Sequence, residues 1–238
     1  MSTITQTAVI EDDNHMNIGQ QNAIKAGKMT MTTTKLTHLA GLSALVAGIS
    51  YIFVGILHPA NVLSSAPTTD WEIAHIFAIA LSFFGLYGMT GLYVRQAEKT
   101  GLLGLAGFVM VSLWLAMVMC FSFIEAFILP QLATIAPMYV DGFMGIFTST
   151  ASEIDFGILP TLWMLSGPLY MFGGLLFGIA TFRAGILSRP AGVLFAIGTI
   201  LAPVATMFPA DYESIVTIPV GLGLTWLGYS LWSDRQVR

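Results

Sequence analysis

The chain has 238 residues, of which 55% are hydrophobic and only 9% are charged, and its formal net charge is −4. Soluble domains carry about 25% charged residues, so this composition excludes a soluble globular protein. It also excludes disorder over most of the length, because the apolar content is too high. The single cysteine, Cys120, excludes an internal disulfide framework and a cysteine-based metal site. We therefore expect an integral membrane protein.

The first 33 residues are polar and rich in Thr, Gln, Asn and Met. They contain no apolar core of a signal peptide, and their cluster of acids, Glu11, Asp12 and Asp13, is unusual for a transit peptide. The sequence predicts a disordered cytoplasmic tail over residues 1–33, followed by one transmembrane domain over residues 34–238.

Six segments after the tail are apolar enough to cross a bilayer, which takes about 20 mostly apolar residues. They cover residues 36–57, 71–93, 101–129, 161–182, 191–208 and 215–232, and none of them contains Lys, Arg or Asp. The sequence therefore predicts an all-α fold, a bundle of six transmembrane helices.

The basic residues indicate the orientation of this bundle. With six spans, all nine of them fall on one side of the membrane: Lys25, Lys28, Lys35, Arg95, Lys99, Arg183, Arg189, Arg235 and Arg238. Loops rich in Lys and Arg face the cytoplasm. We therefore expect both termini to be cytoplasmic and the segments 58–70 and 130–160 to face outward. The second of these is long for a loop and partly apolar, so we expect it to lie in the interface or to cover the outer mouth of the bundle.

Small residues repeat along the predicted helices, for example Gly41, Gly48 and Gly55 in the first and Gly174 and Gly178 in the fourth. Such residues let helix backbones approach closely in lipid. They predict a tightly packed bundle, and they leave open a homodimer formed through small-residue helix faces.

The ionisable residues His75 and Glu125 lie at least one turn inside predicted spans. Such residues are costly in a membrane and are candidates for a functional site. The helix from Arg95 back to His75 is about 30 Å long, and that from Lys99 to Glu125 is about 39 Å long. Both side chains are therefore expected near the outer boundary of the membrane, on neighbouring helices, where they face each other.

Two further residues belong to the same predicted outer end. His58 ends the first span, and Glu72 precedes His75 by three residues, so that the two share a helix face. The sequence thus predicts a ligand pocket lined by His58, Glu72, His75 and Glu125. The alternative is a His–Glu contact that only fixes the register of two helices. Glu72 and Glu153 also fit capping boxes that begin with Thr69 and Thr150.

Histidine and glutamate are also ligands of metals and haem. The Glu-x-x-His spacing of Glu72 and His75 occurs in metal-binding bundles, but the usual pattern has two copies and this chain has one. Two histidines on neighbouring helices can ligate a haem b, although nothing else in the sequence supports haem. We therefore expect no resident metal or cofactor.

Several function classes are excluded by missing motifs. The chain has no phosphate-binding loop, no HExxH zinc motif and no GxSxG nucleophile elbow. Its spans have no arginine series for voltage sensing, and its basic residues are too few to bind nucleic acid.

The stretch from Gly55 to Arg95 contains GILHP, then WEIAHIFAIA, then GLYGMTGLYVRQ. With its His-Pro at the end of one span and a His at the start of the next, it resembles uncharacterised bacterial multi-span membrane proteins that are grouped as domains of unknown function. The resemblance extends loosely over residues 36–232. It implies a multi-pass protein of the bacterial inner (plasma) membrane and carries no activity.

The leading hypothesis is a protein of the lipid bilayer that binds or transports a small, apolar or weakly acidic ligand through its outer His/Glu pocket. The alternatives are a membrane-embedded enzyme acting on lipid or isoprenoid substrates, with Glu125 and His75 as acid and base, and an accessory membrane subunit without a site. The sequence leaves the choice between these, the ligand and the oligomeric state open.

Overall fold

The computed structural model describes residues 31–201 and 216–234, and this part of the chain consists of helices without strands. The helices are α1 (Thr33–Leu57), α2 (Thr69–Phe127), α3 (Leu129–Ile135), α4 (Pro137–Thr148), α5 (Leu159–Ala184), α6 (Arg189–Ile200) and α7 (Thr217–Trp232). The all-α prediction is confirmed for the described residues. Most of the predicted tail and the end of the predicted fifth span lie outside them.

Three helices, α1, α2 and α5, are long and apolar enough to cross a membrane. Large apolar side chains are exposed along all three, among them Leu102, of which 83% is exposed, and Val94, of which 67% is exposed. Exposed apolar surface on this scale is unfavourable in water and matches hydrocarbon. The helices thus indicate a membrane protein.

The 59-residue helix α2 is broken at Gly101, whose φ of 55° and ψ of −149° are not helical. This backbone region is essentially restricted to glycine. The break lets the two arms, 69–100 and 102–127, fold back on each other. A Cβ atom added at Gly85 would contact the side chain of Leu115, and the rings of Tyr93 and Phe108 stack with 4.8 Å between their centroids. Both pairs are nearly symmetric about Gly101, so α2 is an antiparallel hairpin whose arms cover the predicted second and third spans.

The helix starts differ from the predicted capping boxes. The N-cap of α2 is Thr68, whose hydroxyl oxygen accepts from the backbone N–H of Trp71, so the box predicted from Thr69 does not form: Trp71 and not Glu72 lies at the third helical position. No helix begins at Thr150, because the chain between α4 and α5 is irregular there. That second prediction was wrong: the S/T-x-x-E pattern is short and recurs by chance in loops.

Glycines set the helix contacts of the unit that spans residues 36–238. At each contact, a methyl group added to a glycine would overlap the neighbouring helix, which shows that the backbones touch. The pairs are Gly88 with Ala44, Gly107 with Phe177, Gly178 with Gly192, Gly223 with Phe195, and Gly48 with Gly221. They join α1 to α2, α2 to α5, α5 to α6, α6 to α7, and α7 back to α1, so these five helices form a closed ring.

These contacts bear on the suggested homodimer. Gly174 and Gly178 pack against α6, and Gly41 and Gly48 pack against α7. These small-residue faces are thus used for contacts within the chain, and the homodimer stays a prediction.

One end of the ring is closed by the segment 130–160. Phe143, Met144 and Val140 of α4 are buried, and they belong to an apolar cluster with Trp71 and Phe121 of α2. The segment therefore covers the end of the bundle at which α1 ends and α2 begins, as one of the two alternatives for it predicted.

The opposite end is polar. The Arg95 guanidinium donates to the Asp234 carboxylate at 2.7 Å, and the Gln96 amide donates to the Thr181 hydroxyl at 2.9 Å. Between the two ends lies an apolar core that includes Leu81, Met89, Leu92, Leu115 and Phe177.

Candidate functional site

The structure brings three of the four predicted site residues together beneath the segment 130–160. His58 directly follows α1, His75 lies in the second turn of α2, and Glu125 lies near the end of the second arm of α2. Glu72 is exposed and does not line the cavity that the other three share. Trp71 and His75, one helical turn apart, both point into the bundle, so Glu72 is rotated away from it.

His75 and Glu125 are neighbours, as predicted. The distance between His75 Nε2 and Glu125 Oε1 is 3.4 Å, and the two side chains are 2% and 7% exposed. The contact is too poorly aligned to be a hydrogen bond, and His75 Nε2 has no hydrogen-bond partner among the described residues. A buried polar atom without a partner costs about 1–3 kcal/mol, so its persistence calls for an explanation.

The backbone fixes how both histidine rings present their nitrogens. His75 Nδ1 lies 2.7 Å from the carbonyl oxygen of Trp71, and His58 Nδ1 lies 2.7 Å from that of Pro59. A carbonyl oxygen only accepts, so each Nδ1 carries the proton and donates. In the neutral ring, Nε2 is then the acceptor. His75 therefore presents an acceptor towards Glu125.

His58 completes the polar end of the site. Its ring meets the ring of His75 edge-on, with 4.9 Å between the centroids. Burial lowers the pKa of His58, and the nearby His75 lowers it further, although Glu125 and the bond to Pro59 act in the opposite direction. His58 is thereby biased towards its neutral form.

A cavity of about 300 Å³ opens beside these residues. Six aromatic side chains contribute to its walls: Tyr51, Trp114, Phe121, Phe147, Trp163 and Tyr170. Three of these rings are in mutual contact, with 4.6 Å between the centroids of Trp114 and Tyr170 and 5.8 Å between those of Tyr51 and Trp114. The polar lining includes Asn61, Ser122 and Ser166. The site is thus an aromatic cavity whose polar end is formed by His58, His75 and Glu125.

These aromatic walls were not predicted from the sequence. They come from α1, α2, α4 and α5, and a tyrosine or tryptophan inside a span gives no sign of the direction in which it points.

A larger concavity, of about 1170 Å³, lies between the segment 149–156 and the first turns of α5. Its acids, Glu153 and Asp155, are exposed, and the Asp155 carboxylate accepts from the backbone N–H of Gly157. Exposed acids in an irregular loop do not select a ligand, so we assign the site to the smaller cavity.

Within the residues that the structure describes, no three or more His, Cys, Asp or Glu side chains are arranged to hold a metal ion. The chemistry available at the site is therefore that of two imidazoles, one carboxyl group and the aromatic walls.

Comparison with known proteins leaves the geometry as the basis for assigning a function. No family model matches the chain, and neither a curated protein nor a solved structure matches it.

Proposed function

We propose that this chain is a six-span protein of the bacterial plasma membrane, with both termini in the cytoplasm, and that its aromatic cavity binds a small ligand at the outer face. The resemblance of residues 55–95 to bacterial multi-span proteins supports the cellular location. The cavity, with the buried and unpartnered Nε2 of His75 at its polar end, supports the binding function.

The arrangement of the helices supports six spans. The break at Gly101 makes α2 a hairpin of two arms, about 48 and 39 Å long at 1.5 Å per residue, and each arm is long enough to cross a bilayer. With α1, α5, α6 and α7, the ring then holds six helical arms. The shorter α6 begins the predicted fifth span, which continues past Leu201.

The distribution of charge supports the orientation. Arg95 and Lys99 precede the turn at Gly101, and Arg183 and Arg189 flank the turn between α5 and α6. These turns lie at the end of the ring opposite His58 and His75. By the positive-inside rule, the basic end is cytoplasmic and the cavity faces outward.

Binding accounts for the cavity better than transport does. A transport path has to continue through the bundle, whereas below this cavity lies the packed core with Leu81, Leu115 and Phe177, which are at most 1% exposed. Catalysis needs an acid and a base with room for a substrate between them, but His75 and Glu125 are in contact with each other.

Filling the cavity tests the binding function. Naphthalene serves as an apolar probe, and we expect it to raise the melting temperature of the detergent-solubilised full chain. Val118 lines the cavity, so Val118→Trp should abolish this stabilisation. Ile197 is 52% exposed on the outside of α6, so Ile197→Trp is the matched control and should retain it. An equal effect of naphthalene on both variants would show partition into the micelle or surface and would refute the proposal.

A further inference from the structure

The protein has other buried polar atoms without partners, but His75 Nε2 is distinguished by its position. Within the described residues, the remaining ones are Ser82 Oγ, Gln96 Oε1, Ser112 Oγ and Thr225 Oγ1. None of these four residues lines the aromatic cavity, whereas His75 does. A ligand in the cavity therefore lies beside the residue whose nitrogen the protein leaves unsatisfied.

The lining of the cavity selects against an anionic ligand. His75 and Glu125 are at most 7% exposed, and no Lys or Arg of the described residues lines the cavity. An anion beside Glu125 would be a buried charge without a counter-charge, which is strongly unfavourable.

His75 selects the polar group of the ligand. Its Nδ1 donates to the Trp71 carbonyl oxygen, so in the neutral ring Nε2 is an acceptor, and it has no partner among the described residues. A hydroxyl group supplies the donor that Nε2 lacks, whereas a group that only accepts, such as an ether, does not.

The walls of the cavity select the body of the ligand. Aromatic rings from α1, α2, α4 and α5 surround the cavity. Such rings prefer edge-to-face or offset contacts with another ring. A volume of about 300 Å³ lies at the lower limit for small-molecule pockets, so the ligand is compact.

Resting on the proposed binding function, we infer that the cavity takes a compact aromatic ring carrying a hydroxyl group, a phenol in chemical class. Its hydroxyl donates to His75 Nε2 from the cavity side of the His75–Glu125 contact, while its ring packs among Trp114, Trp163 and Tyr170.

Three probes of nearly equal shape test this inference on the full chain in detergent: 1-naphthol, 1-methoxynaphthalene and naphthalene. Each dissociation constant is measured from the dependence of the melting temperature on probe concentration. We expect 1-naphthol to bind about tenfold more tightly than the other two, the effect of one well-placed hydrogen bond in a buried site. Equal binding of 1-naphthol and 1-methoxynaphthalene would overturn the inference, and this comparison needs no variant.

Substitution of His75 tests whether the tighter binding of 1-naphthol arises at this residue. His75→Phe keeps a ring in place and removes the acceptor, so 1-naphthol should lose its advantage while naphthalene binding stays within about twofold. His38, in the part of α1 remote from the cavity, offers the matched control His38→Phe, which should preserve the advantage. Persistence of the advantage in His75→Phe would overturn the inference.

The two proposals fail in different ways. If naphthalene binds in a manner that Val118→Trp abolishes and the hydroxyl adds nothing, the binding function stands and the phenol specificity is refuted. If none of the probes binds to the cavity, both proposals are refuted.

Discussion

The indole nitrogen of Trp71 donates to the backbone carbonyl oxygen of Glu125 at 2.8 Å. The two residues are 54 positions apart, at the start of one arm of α2 and near the end of the other. The Trp71 side chain is fully buried, and its backbone carbonyl also holds the ring of His75. One residue thus ties the hairpin together and orients the candidate site.

This relationship predicts that Trp71→Phe destabilises the protein by about 1–3 kcal/mol, because it leaves the Glu125 carbonyl without its side-chain donor and opens a small void. The measurement is thermal unfolding in detergent. Trp226 is 45% exposed on α7, so Trp226→Phe is the control and should change the melting temperature little. A loss of the same size in both variants would contradict the role of Trp71.

The contact between α1 and α7 predicts a large effect at Gly48. The added methyl group of Gly48→Ala would overlap the carbonyl oxygen of Gly221 and the backbone of Thr225, so the two helices would have to separate. We expect a loss of about 1–3 kcal/mol or more, typical of overpacking. At Gly167 of α5 the same change meets no atom of a neighbouring helix within 4 Å. Gly167→Ala should therefore cost less than Gly48→Ala, because no neighbouring helix has to move. Equal melting temperatures for the two variants would show that α1 and α7 are not in close contact.

The proposed orientation is tested by labelling. In a Cys120→Ser background, single cysteines replace the exposed residues Ser64, before α2, and Glu98, near the turn at Gly101. With an impermeant thiol reagent applied to intact cells, we expect position 64 to react and position 98 to react only after permeabilisation. Labelling of position 98 in intact cells would refute the six-span topology.

The lowered pKa of His58, which follows the end of α1, gives a prediction on pH. In the unfolded chain a histidine has a pKa of about 6.5. As the pH falls below that value, the unfolded state takes up the proton before the folded state does, so the contribution of neutral His58 is present above about pH 6.5 and is lost below it. Melting temperatures measured from pH 8 to pH 5 should fall on the acid side, and His58→Gln should flatten this fall. His38→Gln is the control and should follow the original profile. An unchanged profile in His58→Gln would assign the acid sensitivity to other groups.

The sequence was sufficient to place His75 at the same level as Glu125. Two apolar helices joined by a short turn run antiparallel, and the depth of each residue then follows from its distance to the turn; the rotation of the two helices brings the side chains to 3.4 Å. The same reasoning correctly placed His58 at that end. It failed for Glu72, because depth does not fix rotation about the helix axis, and at the first turn it is Trp71 that points inward.

The walls of the aromatic cavity could not be predicted from the depth of residues in the helices, for a related reason. Its walls combine Tyr51 of α1, Trp114 of α2 and Tyr170 of α5, and their convergence depends on how each helix is rotated. That rotation is set by contacts such as Gly48 with Gly221 and Gly107 with Phe177. A glycine repeat shows that a helix face is close to a neighbour without identifying the neighbour.

The contact that closes the ring has a consequence for biosynthesis. Gly48 of α1 finds its partner Gly221 only after more than two thirds of the chain has been made, whereas its neighbour Ala44 meets Gly88 of α2 early. During translation one face of α1 therefore stays in contact with lipid or with the insertion machinery until α7 arrives. A ribosome stalled between α6 and α7 would leave in the membrane a chain whose α1 glycine face has no partner helix.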